Sequence, residues 1–171
     1  MAINHLSCQN YFMVASTLWT IGHSTRPIAE LLELLRSHEI ALLVDVRTVP
    51  RSRHNPQFNT DTLAKSLATA GMRYHHSAQL GGLRKPKKDS VNTGWRNESF
   101  RGYADYMQTE EFRGALNKLM ADSRLQRAVI MCAEAVPWRC HRSLIADAAL
   151  ARGVVAEHIM TVTSRDRKSV V

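Results

Sequence analysis

The chain has 171 residues, enough for one domain with a substantial core, and its hydrophobic fraction of 44% excludes wholesale disorder. Lysine and arginine number 23 against 15 acidic residues, and the net charge of +8 favours a phosphorylated or polyanionic partner. Good solubility is an equally good explanation of that charge. No apolar run approaches the roughly eighteen residues that span a bilayer, so we expect no membrane partner.

The 3 cysteines are an odd number, and the N-terminal segment lacks the basic and apolar regions of a secretory signal. We therefore expect no disulfide framework and a cytoplasmic location. Residues 1–16 show no clear periodicity and are predicted to form a poorly ordered extension, in which Met13 is an alternative translation start. A single α/β domain is predicted over 17–163, and a charged, frayed C-terminal tail over 164–171.

Within the domain, short apolar or β-branched runs alternate with segments of helical periodicity. The predicted strands are 17–22, 41–46, 72–76, 127–131 and 154–160. The predicted helices are 28–39, 60–70, 100–120 and 140–152. The segment 50–59 is predicted to be a loop, and the glycine- and lysine-rich segment 81–95 a long mobile loop. This alternation predicts a three-layer α/β/α sandwich with a mostly parallel sheet of about five strands.

Polar and ionisable residues follow every predicted strand, and the carboxyl ends of parallel strands meet at one edge of the sheet, where ligands bind. In strand order these residues are His23, Ser24 and Thr25; Asp45, Arg47, Arg51, Arg53 and His54; Gly81, Gly82 and Arg84; Cys132, Glu134, Cys140, His141 and Arg142; and His158. We expect these groups to share one crevice.

The loop after the fourth strand holds the candidate catalytic residues. Cys140 is predicted to lie in the first turn of a helix, where the helix dipole and flanking basic residues would lower its thiol pKa. Either Cys140 or Cys132 is then a candidate nucleophile, and each is alternatively a packed core thiol. Glu134 or His141 would transfer protons. The alternative is that Glu134 is only a surface carboxylate and His141 only a structural imidazole.

The arginines at the same edge are candidates for binding an anion. Arg142, Arg47 and Arg53 would hold phosphate, since guanidinium groups match phosphate oxygens. Arg51, Arg84 and three lysines of segment 81–95 would extend that groove, and Asp45 beside Arg47 is interpreted as a structural ion pair that orients its loop. Trp138 is the best candidate for stacking a base, ahead of Trp95, Phe100, Tyr103 and Tyr106.

Four segments, TIGHST, VDVRTVPRSRHNPQF, LGG and CAEAVPWRCHRSLIADAAL, resemble the family known as domain of unknown function 488, over 17–160. The resemblance implies an α/β fold and a site at these motifs, and it assigns no activity. More loosely, a cysteine after a buried strand followed by Arg-Ser at a helix start is similar to rhodanese and the cysteine phosphatases. The loop between Cys132 and Arg142 departs from the phosphatase spacing.

The sequence therefore predicts a cysteine-dependent enzyme, a hydrolase or transferase, that acts on a phosphate-bearing substrate such as a nucleotide or nucleic acid. The alternative is a non-catalytic module that binds nucleic acid or another anion. A zinc site at Cys132, Cys140 and His141 with His23 as a fourth ligand has no familiar spacing, so we predict no metal and no cofactor.

Overall fold

The computed structural model describes residues 16–167, so the predicted N-terminal extension, with Met13, lies outside them except for residue 16. The core is one six-stranded sheet of order β3-β2-β4-β1-β5-β6. Its strands are β1 Thr17–Gly22, β2 Leu42–Asp45, β3 Arg73–His76, β4 Ala128–Cys132, β5 Val155–Ile159 and β6 Arg165–Arg167. The first five are parallel, as predicted, and β6 pairs antiparallel with β5.

Five α-helices cover the two faces of the sheet. They are α1 Ile28–Ser37, α2 Thr60–Thr69, α3 Glu98–Tyr106, α4 Glu110–Leu125 and α5 Arg142–Leu150. On one face α1 and α2 bury leucines such as Leu31 and Leu63, and on the other α3, α4 and α5 bury Tyr103, Leu116 and Ile145. The predicted three-layer α/β/α sandwich is confirmed. No helix within residues 16–167 is long and apolar enough to cross a membrane.

The central strand β4 ends at a change of direction in the chain. Its neighbours β1 and β2 both lead to helices on one face, α1 and α2, whereas β4 itself leads to α5 on the other face. Connections that leave adjacent parallel strands in opposite directions open a crevice at the carboxyl edge. The register pairs Gly22 with Cys132, so β1 and β4 end side by side at this crevice.

Two predicted helical segments differ from the structure in their bounds. The helical periodicity over 100–120 belongs to two helices, because α3 ends at Tyr106 and Thr109 caps a new helix by accepting a hydrogen bond from the amide of Phe112, 3.3 Å away. The fifth helix begins at Arg142 rather than at Cys140. The 3₁₀ turn Pro137–Arg139 occupies the preceding residues, and Cys140 follows its last residue.

Two segments expected to be loose are held by hydrogen bonds. Part of the predicted frayed tail forms β6. The carboxylate of Asp105 on α3 accepts bonds from the Lys87 amide at 2.8 Å, the Ser90 hydroxyl at 2.6 Å and the Asn92 side chain at 2.7 Å. These bonds anchor the long loop after Gly81 to the helical layer.

Candidate functional site

A cavity of about 710 Å³ opens at the carboxyl ends of β1, β2 and β4. The predicted site residues that line it are His23, Ser24, Arg47, Gly82, Cys132, Glu134, Cys140 and His141. Those that do not line it are Asp45, Arg53, Gly81, Arg84, Trp138 and Arg142. His158 is buried within β5, where it bonds the Thr20 hydroxyl at 2.6 Å, so it does not face this edge.

The two sulfur atoms meet at the imidazole of His141. The Nδ1 atom of that ring lies 3.6 Å from Sγ of Cys140 and 4.0 Å from Sγ of Cys132. Its Nε2 atom lies 3.0 Å from the carbonyl oxygen of Val46. A carbonyl oxygen only accepts, so Nε2 carries a proton, and Nδ1 faces the two sulfur atoms, where it can donate to a thiolate or accept from a thiol.

The packing around His141 fixes the plane of its ring. Gly82 lies against the ring so closely that an added Cβ would be 2.3 Å from Nδ1. On another side the ring of Tyr103 lies 5.0 Å away, centroid to centroid, and its hydroxyl donates to the carbonyl of Leu80 at 2.9 Å. Only glycine leaves room for this approach, which explains part of the Gly-Gly signal in the sequence.

Of the two cavity cysteines, Cys132 has the lowered pKa and Cys140 the raised one. A hydrogen bond from the Cys140 thiol lowers the pKa of Cys132 to about 4; burial opposes this, and His141 and the amide of Glu134 add to it. The pKa of Cys140 is raised, because it donates that bond and because it is buried. The expectation of a lowered Cys140 pKa is therefore wrong: the partner sulfur outweighs the charges near the helix start.

Arg142 has a structural position. It is 1% exposed, and its guanidinium donates to the backbone carbonyls of Glu134 and Ala135, the latter at 2.7 Å. These bonds hold the start of the loop that follows β4. Gly22 lies directly beneath, where an added Cβ would overlap the carbonyl of Glu134. Arg142 was expected to bind an anion, but both of its terminal nitrogens bind this loop.

A second network links β1 and β2. Asp45 is fully buried and accepts two bonds from the Arg47 side chain, from Nε at 2.8 Å and from Nη2 at 2.5 Å. The ion pair predicted for these two residues is therefore present. Nη1 of Arg47 lies 3.3 Å from Nε2 of His23, whose Nδ1 lies 2.7 Å from the carbonyl of Ser24. Burial, with a smaller effect of the Arg47 charge, lowers the pKa of His23, so its ring is neutral.

The exposed cations of the cavity wall are Arg51 and Arg139. Arg84, expected to bind phosphate, instead places its guanidinium 3.5 Å from the ring centroid of Tyr106 and donates to the Gly81 carbonyl at 3.1 Å. Trp138 is 65% exposed outside the wall. Arg51 and Arg139 are therefore the exposed arginines of the cavity wall that could meet an anionic ligand.

The wall also contains residues that the predicted site omits. They are Thr48, Val49, Ser52, Asn55, Leu83, Ser99, Ala133, Ala135 and Arg139. Thr25 and Arg51, expected at this edge, line the cavity as well, as do two of the aromatic residues considered for stacking a base, Phe100 and Tyr103. Thr48 directly follows Arg47, and its hydroxyl accepts a bond from the amide of Leu83 at 3.1 Å. Its position directly after β2 could have marked it in the sequence as a candidate site residue. Phe100 comes from α3, and the sequence marked it only as one of several aromatic residues that could stack a base.

Three donor atoms of a kind that zinc accepts lie within 4.8 Å of one another, on Cys132, Cys140 and His141. A closed structural zinc site takes four protein ligands. Among residues 16–167 this group has no fourth member. His23, considered as a fourth ligand, uses its two ring nitrogens for Ser24 and Arg47.

Fold and site together define an α/β protein with a pair of cysteines at the switch point of a parallel sheet. A family model described as "Domain of unknown function DUF488" matches residues 27–149, and the chain belongs to this family. The match extends from the start of α1 into the last turn of α5 and so includes both cysteines of the cavity. No curated protein and no solved structure matches the chain.

Proposed function

We propose that this protein is an enzyme in which the Cys132 thiolate attacks a phosphate-bearing substrate, a nucleotide or a strand of nucleic acid. One observation carries the proposal. The Sγ atom of Cys132 lies at the wall of a large cavity, beside a second thiol and an imidazole nitrogen that stabilise its negative charge. A thiolate held in this way is the reactive form in cysteine-dependent group transfer.

The charge and shape of the cavity support an anionic substrate. Arg51 and Arg139 are exposed residues of its wall, and guanidinium groups bind phosphate oxygens in pairs. Phe100 and Leu83 add an apolar surface on the side of the long loop, suited to the planar face of a base. The volume of about 710 Å³ is within the range of small-molecule sites and can accept a mononucleotide.

The reaction has two balanced steps. In the first, Sγ of Cys132 forms a bond to phosphorus, the bond from phosphorus to the ester oxygen breaks, and the protonated Glu134 carboxyl gives its proton to the leaving oxygen. In the second, the Glu134 carboxylate takes a proton from water, the oxygen of that water bonds to phosphorus, and the S–P bond breaks to restore the thiolate. Glu134 lines the cavity and its Oε1 accepts a bond from the amide of Val136 at 3.1 Å.

Arg47, His23 and Arg142 act as positioning residues in this scheme. Arg47 joins the ends of β1 and β2 through His23 and Asp45, and Arg142 fixes the loop that carries Glu134. None of their hydrogen bonds requires a substrate. We expect substitution of these residues to act through stability and geometry.

The test is turnover of a panel of phosphate-bearing compounds: phosphomonoesters, nucleoside mono-, di- and triphosphates, and short DNA and RNA. Wild-type protein is compared with Cys132→Ala, with Glu134→Gln and with the control Cys8→Ala. We expect an activity that Cys132→Ala abolishes, that Glu134→Gln reduces about 10²–10⁴-fold as for a lost general acid–base, and that Cys8→Ala retains.

Two results would overturn the proposal. Tight binding of nucleic acid that falls steeply with salt, survives Cys132→Ala and leads to no turnover would favour the non-catalytic binding module. Absence of both binding and turnover across the panel would remove phosphate-bearing compounds as the substrate class.

A further inference from the structure

The two sulfur atoms of the cavity are close enough to react with each other. Sγ of Cys132 and Sγ of Cys140 lie within 4.8 Å of one another and share Nδ1 of His141 as a neighbour. The residues differ in access: Cys132 is half-buried at the cavity wall, whereas Cys140 is only 4% exposed. An oxidant that enters the cavity therefore meets Cys132 first.

We propose that Cys132 and Cys140 form a redox pair, in which a hydroperoxide oxidises Cys132 and Cys140 then closes an intramolecular disulfide. As a means of regulation the inference rests on the proposed function, because the disulfide removes the nucleophile. Its chemistry needs no substrate, and it can be observed on its own.

The oxidation proceeds in two steps. First, the Cys132 thiolate attacks the terminal oxygen of the hydroperoxide; an S–O bond forms, the O–O bond breaks, and the departing alkoxide takes the proton that Nδ1 of His141 had donated to the thiolate, which gives an alcohol and a sulfenic acid. Next, Nδ1 of His141 takes the proton of the Cys140 thiol, whose sulfur attacks Sγ of Cys132. The S–S bond forms, the S–O bond breaks, and the hydroxide takes the proton from His141 and leaves as water. Two thiols have lost two electrons, and the hydroperoxide has gained them.

The position of His141 suits the second step. Its Nδ1 lies 3.6 Å from Sγ of Cys140, while Nε2 donates to the carbonyl of Val46. After Nδ1 has given its proton to the alkoxide in the first step, it offers a lone pair to the Cys140 thiol. The same nitrogen lies 4.0 Å from Sγ of Cys132, so the proton is removed next to the bond that forms. A buried, protonated thiol beside an accessible thiolate is the arrangement of a resolving and a peroxide-reactive cysteine.

Closure requires a movement of the loop between the two cysteines. The sulfur atoms must approach to about 2.05 Å, the length of a disulfide bond. Cys140 lies between the 3₁₀ turn Pro137–Arg139 and the start of α5, so this short turn can shift while β4 stays in the sheet. The turn that moves carries Arg139, and the oxidised protein thus loses part of the arrangement of the cavity wall as well as its thiolate.

The experiment treats the full chain with stoichiometric hydrogen peroxide in a Cys8→Ser background, with a chelator present so that no metal ion competes. Cysteines are then mapped by mass spectrometry, with dimedone as the trap for sulfenic acid. We expect the protein with both cavity cysteines to lose two hydrogen atoms, to give a peptide that links Cys132 to Cys140, and to regain both thiols with dithiothreitol. The Cys140→Ser variant should trap dimedone at Cys132 instead.

Two results would overturn the redox pair: dimedone labelling of Cys132 that is as complete with Cys140 present as in Cys140→Ser, or peroxide treatment that leaves both thiols free. The protein with both cysteines tests the proposal even if the serine variant folds poorly. A disulfide in a protein that turns over no compound of the panel would refute the proposed function and keep this inference. Turnover that depends on Cys132, in a protein that forms no disulfide, would refute this inference and keep the proposed function.

Discussion

Removing the Cys140 sulfur should show how much of the lowering of the Cys132 pKa comes from the Cys140 thiol. The bond from Cys140 is the largest cause of the lowered Cys132 pKa. A hydrogen bond to a charged group contributes about 1.5–3 kcal/mol, and at about 1.4 kcal/mol per pH unit its loss raises the Cys132 pKa by about one to two. Cys140→Ala should move the titration of Cys132 upward by that amount. Cys140→Ser, whose hydroxyl can still donate, should move it much less.

The assay is the rate of iodoacetamide alkylation at Cys132 as a function of pH, read by peptide mass spectrometry so that Cys8 is followed separately. The midpoint of the profile is compared rather than its plateau, because a thiolate of lower pKa is intrinsically the weaker nucleophile. An identical midpoint in wild type and Cys140→Ala would refute the reasoning. A wild-type midpoint near the ordinary cysteine value of about 8.5 would refute it more completely.

Three further outcomes are expected. Gly82→Ala forces the ring of His141 away and should raise the alkylation midpoint of Cys132, whereas Gly94→Ala, whose Cβ meets nothing within 4 Å, should leave it unchanged. Arg142→Met removes two hydrogen bonds from a charged donor to backbone carbonyls, each contributing about 1.5–3 kcal/mol, so urea denaturation should show a loss of at least about 2 kcal/mol; a negligible loss would contradict the structural role. The His23 pKa is lowered from 6.5, so as the pH falls the unfolded chain binds a proton at this residue before the folded chain does. The free energy of unfolding should therefore fall as the pH drops below 6.5. If the dependence of that free energy on pH is the same in His23→Gln as in wild type, this reasoning is contradicted.

The fold was largely predictable because its signals are local. The first five strands are short, apolar or β-branched runs, and Gly71 and Gly153, both with positive φ, follow α2 and α5 as stop signals. The division at Thr109 was also readable, since a threonine followed by Glu110 and Glu111 is typical of a helix start. The order of the strands and the addition of β6 depend on pairings between distant segments, which no local pattern encodes.

The candidate site was predictable in position and less so in roles. Strand ends converge in any parallel sheet, so Cys132, His23 and Arg47 could be expected at one edge. The role of Arg142 depends on which backbone carbonyls lie beside it after folding, and the position of Arg84 depends on a ring from α3. The spacing of such residues along the chain does not indicate that they will be in contact.

The most direct test of the account is to look for the covalent intermediate on Cys132. Protein turning over its best compound from the panel is quenched rapidly at neutral pH, digested, and searched for cysteine peptides that carry the transferred phosphoryl or nucleotidyl group. The account predicts that modification on Cys132 and none on Cys140 or Cys8. Turnover that proceeds with Cys132 unmodified, and at an undiminished rate in Cys132→Ala, would contradict it.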